Sequence, residues 1–326
     1  MYNSLQYKTK QFLFLLVKLT IIVGAFYFVY QKIVHNEQLA FSVFITQLES
    51  NIFNNYGVIF TLFIFTCLNW FFEILKWKTL ASFVQKISLT NAAMQSLGSL
   101  TASLFTPNRI GEYGAKAVYF KKGNRRKIML MNLISNGTQM VVTTVFGTFG
   151  LIYFFIHFPV EIELFRLRKA VYLIMVLIGF VFIGKKFGFK KIRGFYIDKI
   201  IRFIKDIPVS LHFLNITFSV IRYLIFSHQF YFLLTVFDIH IDYTTAMSFI
   251  TSMYLLASLI PSLSFFDWLI KGSVALWIFS FAGNNELIIV TISLVMWVLN
   301  FGIPAIFGSY FVLNFSFAST TNTTQQ

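Results

Sequence analysis

Ala102-Ser103-Leu104-Phe105-Thr106-Pro107-Asn108-Arg109-Ile110-Gly111-Glu112-Tyr113-Gly114-Ala115-Lys116 is apolar sequence broken by a proline, after which an acid stands four residues before a lysine. The pattern returns: Ala257-Ser258-Leu259, Asp267 and Lys271 lie 155 residues after Ala102-Ser103-Leu104, Glu112 and Lys116, with Pro261 as the break. A charged pair in apolar surroundings is costly, and here it occurs twice. The doubling points to a duplicated membrane fold with polar groups held at a working site. Upstream, Ile87-Ser88-Leu89-Thr90-Asn91-Ala92 is similar to Ile241-Asp242-Tyr243-Thr244-Thr245-Ala246 at an offset of 154, so the match extends beyond the charged core.

The rest of the chain agrees with a bilayer. Of 326 residues, 57% are hydrophobic and 12% charged, where soluble domains carry about 25% charged residues. Several apolar runs reach the roughly 20 residues that a helix needs to cross the hydrocarbon core. They are solidly apolar rather than alternating, which argues against a β-barrel. The expected fold is all-α: a polytopic membrane protein of about six spanning helices plus two broken or re-entrant helical hairpins, arranged as an inverted repeat. The spans are drawn at Phe12–Tyr30, Tyr56–Leu75, Ile128–Phe155, Ala170–Ile183, Val209–Phe237 and Glu286–Leu313. The hairpins, or pairs of short helices, are Asn91–Phe120, broken at Thr106-Pro107-Asn108-Arg109, and Thr245–Phe281, broken at Pro261-Ser262-Leu263-Ser264. Proline removes a backbone donor, and broken backbone at membrane depth survives only against protein or water. One transmembrane domain is expected over 1–315, with repeat cores at about 56–127 and 209–282 and a disordered polar tail at 316–326. Apolar residues near helical period in Ile192–Ile207, with basic residues between them, predict an amphipathic helix on the membrane surface.

Net charge is +15, but the bases are clustered. Lys121, Lys122, Arg125, Arg126 and Lys127 form one block, and a second runs from Lys185 to Lys205. Each lies beside a spanning segment, so the positive-inside rule accounts for them and nucleic acid is not expected as a partner. The blocks place both termini in the cytoplasm of a multi-pass inner-membrane protein, with Arg166, Arg168 and Lys169 against the rule. Under that orientation the two hairpins enter from opposite sides. A single cysteine, Cys67, and five scattered histidines offer no disulfide and no metal-ligand spacing, so no cofactor is expected. The partners expected are membrane lipids with anionic headgroups. The sequence leaves a membrane or cytoplasmic protein partner, and the oligomeric state, open.

The candidate substrate-binding residues are Glu73, Pro107, Arg109, Gly111, Glu112, Lys116, Arg222, Asp267 and Lys271. Glu112 and Lys116 share a helix face, as do Asp267 and Lys271. Arg109 follows the helix break, where a guanidinium suits a lipid phosphate. Gly111 and Gly114 let a backbone or a ligand come close. Arg222 lies within the fifth span and must face protein or water. Glu73 is set deeper than Lys76 and Lys78, which read as interfacial anchors, and Asn69 stands one turn earlier on the same face. Asn132, Asn136, Gln139 and Thr143 make a polar stripe of the kind that joins helices. No catalytic motif is present.

Thr106-Pro107-Asn108-Arg109-Ile110-Gly111-Glu112 resembles the Pro-x-Arg-x-Gly-Glu signature of the lysylphosphatidylglycerol synthase transmembrane family. Glu73 to Trp77 sits where that family has an earlier motif, and Pro261 to Gly272 resembles its second hairpin, with Asp267 in place of Glu and Lys271 in place of Arg. The resemblance implies a flippase-like module that moves aminoacylated phosphatidylglycerol between leaflets. It also implies a stand-alone member, since the chain ends at Gln326 without the soluble synthase domain. The function expected is therefore a lipid translocase or lipid-binding transporter for a lipid with a charged headgroup. The alternatives are a membrane enzyme transferring a group to or from a lipid carrier, and a scaffold subunit for a synthase or glycosyltransferase.

Overall fold

A computed structural model describes residues 45–46, 48–104, 106, 109–158, 191–192, 195–260, 267–283 and 286–315. Helices dominate them: α1 (Tyr56–Ser82), α2 (Leu89–Ser103), α3 (Ile110–Val118), α4 (Arg125–His157), α5 (Ile197–Lys205), α6 (Val209–Val236), α7 (Tyr243–Ser258), α8 (Asp267–Phe279), α9 (Glu286–Trp297) and α10 (Ile303–Leu313). A two-residue antiparallel ladder, β1 (Lys191–Ile192) with β2 (Phe195–Tyr196), precedes α5.

Among the described residues four helical stretches are long and apolar enough to cross a membrane: Tyr56–Ser82, Arg125–His157, Val209–Val236 and Ile288–Leu313. At 1.5 Å per residue they measure ~39 to 50 Å, against a hydrocarbon core of about 30 Å. Their surfaces are inside out relative to a soluble protein. Phe60, Phe63, Val141, Phe149, Phe213 and Phe307 point outward, while Asn69, Glu73, Lys76, Asn132 and Gln229 are buried. That is the pattern of helices solvated by lipid.

The fourth stretch is not a uniform helix. A π-helical turn, Val298–Gly302, joins α9 to α10. Pro304 follows it and has no N–H to give the carbonyl of Asn300, four residues back. The indole N–H of Trp70 donates to that carbonyl instead, at 3.2 Å. A widened turn inside a spanning helix thus has an identifiable cause.

Between the long helices lie two broken ones. α2 and α3 follow one another across the Thr106–Arg109 break, and α7 and α8 across residues 259–266; α2 packs on α3 and α7 on α8. None of the four crosses alone, since α2 spans ~22 Å and α3 ~14 Å. The sequence match upstream of the breaks turns out to be a capping signal. Ser88 accepts the N–H of Asn91 at the start of α2, and Asp242 accepts the N–H of Thr245 at the start of α7. The same hydrogen bonds, the backbone one from Thr245 foremost, hold the exposed Asp242 carboxyl below the usual carboxylate range.

The packing between α1–α4 and α6–α10 is reciprocal. α1 runs antiparallel to α6: Phe65 meets Phe232, Thr66 meets Gln229, Asn69 meets Arg222 and Phe72 meets Phe218. α7 lies antiparallel on α4, and α2 antiparallel on α10. Each set therefore lends its first hairpin helix to the last span of the other. Small residues three apart make both approaches possible. Gly147 and Gly150 on α4 face the backbone and side chains of Thr251, Leu255 and Ser248. Ala305 and Gly308 on α10 face α2, where Thr101 donates to the Ala305 carbonyl at 2.7 Å and Leu97 packs on Gly308. A Cβ at Gly150 or Gly308 would collide with carbonyl oxygens of the partner helix.

Four of the six expected spans are present among the described residues; the other two, Phe12–Tyr30 and Ala170–Ile183, lie outside the described residues, as does the tail 316–326. Other expectations are refined. The span expected at Tyr56–Leu75 continues to Ser82, because Lys76 and Lys78 do not end it. The amphipathic helix expected over Ile192–Ile207 begins only at Ile197, the ladder taking the residues before it.

Gly150→Ala and Gly308→Ala should each lower the thermal midpoint of the solubilised chain, by a destabilisation of about 1–3 kcal/mol from overpacking. Gly137→Ala, on α4 with open space around it, should be neutral or slightly stabilising. Equal midpoints for all three would contradict the close-packed crossings.

Candidate functional site

Arg222 is 13 residues into α6, or ~20 Å from its start, near the middle of that helix. Its guanidinium is met from two other helices. Nη1 donates to Glu73 Oε2 on α1 and to Gln139 Oε1 on α4, the latter at 3.3 Å. Nε donates to Asn69 Oδ1 at 3.1 Å. From Asn69 the chain of hydrogen bonds continues. Asn69 Nδ2 donates to Asn300 Oδ1 at 2.7 Å, Asn300 Nδ2 to Gln229 Oε1 at 2.8 Å, and Gln229 Nε2 to Thr66 Oγ1 at 3.1 Å. Gln139 closes the other end on the Ser219 carbonyl at 3.2 Å. An arginine in hydrocarbon is tolerable only with such a shell.

Glu73 also holds Lys76, one helical turn on, at 3.1 Å. Lys76 is wholly buried, which corrects its reading as an interfacial anchor: the Glu73 carboxylate draws it inward, whereas Lys78 stays half-exposed.

A second charged group is built on the first hairpin. Arg109 precedes α3 in the left-handed region, with φ 57° and ψ 29°, a conformation that costs a residue with a Cβ about 1 kcal/mol or more. From there it reaches Glu112 Oε2 at 3.1 Å. Glu112 Oε1 holds Lys116 at 2.6 Å. Lys116 also donates to Asn132 Oδ1 at 2.9 Å and lies 4.2 Å from the centre of the Trp77 ring. Glu112 and Lys116 are sealed from solvent, whereas the Arg109 side chain is 38% exposed. Gly111 lies against Thr106 and the Ala102 carbonyl, and its N–H bonds Thr106 Oγ1 at 2.9 Å. Its small size serves the turn. Gly114 faces open space. Pro107 lies outside the described residues.

On the second hairpin, Lys271 Nζ is 2.7 Å from Asp267 Oδ2. This pair is a third exposed, unlike its counterpart on the first hairpin.

These groups surround one cavity of about 560 Å³ between the long helices and the two hairpins, within the range of small-ligand sites. Arg109, Arg222, Lys271, Glu73 and Asp267 line it, so five of the nine residues expected at the site share one hollow. Glu112 and Lys116 stand behind its wall and position Arg109. Three bases against two acids leave the lining with one excess positive charge.

Sequence reasoning missed Asn300, Tyr113 and Tyr254, all of which line the cavity. Asn300 had a signal: a lone amide in an apolar span, followed by Gly302 and Pro304. The polar stripe on α4 behaves as expected, for Asn132 and Gln139 bond other helices, and Asn136 Nδ2 lies 3.5 Å from the Tyr113 hydroxyl. Among the described residues no group of histidine, cysteine or carboxylates is placed to hold a metal ion.

No protein family, curated protein or solved structure matches this chain.

Glu73→Gln strips the buried Arg222 and Lys76 of their carboxylate and should destabilise the chain by about 3–5 kcal/mol, seen as a fall in thermal midpoint. Asp267→Asn, at the partly solvated pair, should cost no more than about 1 kcal/mol. The reverse order would show that the mid-membrane network is not what holds α1 to α6.

Proposed function

We propose that this chain is an integral membrane protein that binds and translocates a lipid, admitting a charged headgroup to the cavity while the acyl chains stay in the bilayer. The observation that carries the reading is the cavity itself: Arg109, Arg222 and Lys271 converge on one hollow between the long apolar helices, with an excess positive charge that a phosphodiester would neutralise. The committed carboxylates support binding over proton-transfer chemistry. Glu73, Glu112 and Asp267 each already hold a base.

The reading includes an inverted repeat, α1–α4 against α6–α10. What supports it is the antiparallel crossing of α1 on α6 at Asn69 and Arg222, residues 153 apart, and the reciprocal packing of α2 on α10 and α7 on α4. Transporters built this way place their sites near the midplane between the repeats. It also keeps the resemblance to the lysylphosphatidylglycerol synthase transmembrane family, carried by Pro107, Arg109, Gly111 and Glu112, and a cell-membrane location with cytoplasmic termini.

The test is headgroup accessibility of a tail-labelled anionic phospholipid in vesicles holding the purified chain. The wild type should exchange the lipid between leaflets faster than protein-free vesicles. Arg109→Gly suits the left-handed backbone but removes the guanidinium, and should slow exchange about tenfold or more. A wild-type rate equal to that of empty vesicles would overturn the function, and an unchanged rate in Arg109→Gly would overturn the role of Arg109.

A further inference from the structure

The resemblance implies a lipid whose headgroup carries an amine. The cavity is not built to receive one. A headgroup ammonium would need a free carboxylate or an open aromatic face. Both carboxylates of the lining already hold protein cations: Glu73 has Arg222 and Lys76, and Asp267 has Lys271. Two of the aromatic faces in the lining are engaged in the same way. Arg109 lies over Phe301 and Lys271 over Tyr254, each 5.8 Å from the ring centre. Trp297 stacks on Phe301, and Phe226 meets Tyr254 edge-on at 4.8 Å. The two lining carboxylates and these two rings thus already hold protein cations where a ligand cation would sit.

What the walls do offer is neutral and polar. The hydroxyls of Thr143, Ser258 and Ser293, all in the lining, donate to carbonyls of their own helices, which leaves their lone pairs as acceptors. Asn136 and Tyr113 meet at 3.5 Å, long enough for a hydroxyl to bond both. Amides and hydroxyls beside aromatic walls complement the O–H and C–H groups of a polyol. Charge gives the same answer. A phosphodiester with an uncharged headgroup brings the lining's net charge of +1 to zero, whereas a zwitterionic headgroup leaves it at +1 in a low-dielectric site.

Resting on the lipid-binding reading above, we infer that the cavity takes a phosphodiester lipid whose headgroup is uncharged and hydroxylated, glycerol-like or sugar-like, and discriminates against headgroups bearing an ammonium. Arg109, Arg222 and Lys271 hold the phosphate. The hydroxyl-bearing wall of Tyr113, Asn136, Thr143 and Ser258 reads the headgroup.

The experiment is competitive retention. The solubilised full chain is offered equal amounts of phosphatidylglycerol, phosphatidylinositol, phosphatidylethanolamine, phosphatidylcholine and phosphatidic acid with matched acyl chains, and the bound lipid is counted by native mass spectrometry. Phosphatidylglycerol and phosphatidylinositol should be retained about tenfold over the ethanolamine and choline lipids, and over phosphatidic acid, which has the phosphate without a headgroup. Equal retention, or preference for an ammonium lipid, would overturn the inference while leaving lipid transport standing. Preference for phosphatidic acid would show that phosphate alone is read, and would overturn the hydroxylated headgroup. Retention of no lipid would remove both readings. Lys271→Met, at a partly exposed position, frees the Asp267 carboxylate. It should raise phosphatidylethanolamine relative to phosphatidylglycerol about fivefold or more; unchanged selectivity would contradict the account of why ammonium is refused.

Discussion

A guanidinium in the middle of a spanning helix organises this molecule. Arg222 cannot face hydrocarbon, so α1 must bring Glu73 and Asn69, and α4 must bring Gln139, within hydrogen-bonding reach. That requirement sets where α1 crosses α6. It also draws in the fourth span, because Asn69, accepting from Arg222 through Oδ1, donates through Nδ2 to Asn300, and Asn300 donates in turn to Gln229. Amide side chains bridging helix to helix leave less room for apolar packing between them. The space that results is the cavity, bounded by the two hairpins and lined by the charges that made it necessary.

The two hairpins use the same charged pair for different ends. In the first, Glu112 and Lys116 are closed off, and their work is to aim Arg109 across the hollow from a strained backbone position. In the second, Asp267 and Lys271 remain partly solvated at the cavity wall. One pair supports a side chain that lines the hollow, and the other lines the hollow itself. Two segments with the same charge spacing thus differ in how far their pairs are buried.

Much of this was legible before any coordinates. Four of the spans and both helix breaks follow from apolar length and proline, and the cost of charge in a bilayer singles out Glu73, Arg109, Arg222, Asp267 and Lys271, though not that these five share a hollow from which Glu112 and Lys116 are shut out. The similarity of Ile87–Ala92 to Ile241–Ala246 could be seen, but its meaning could not, because a cap is defined by which N–H the side chain meets. Lys76 was misread for a related reason. Sequence places it near a helix end beside Lys78, and only packing shows that Glu73 and Trp77 turn it inward. The division of labour between Arg109 and Lys116 was likewise hidden, since spacing puts both near Glu112 and says nothing of which one faces a void. Gly147, Gly150 and Gly308 look alike to Gly137 in sequence and differ only in what stands across from them.

The central claim is that a phosphodiester occupies the hollow between the hairpins. Its most direct test is an electron cryomicroscopy map of the chain in nanodiscs containing anionic phospholipid. Density for a phosphate within hydrogen-bonding distance of Arg109, Arg222 or Lys271, with tails leading out to the bilayer, is the predicted result. A hollow empty of lipid, with phosphates confined to the outer surface of the four spans, would contradict it.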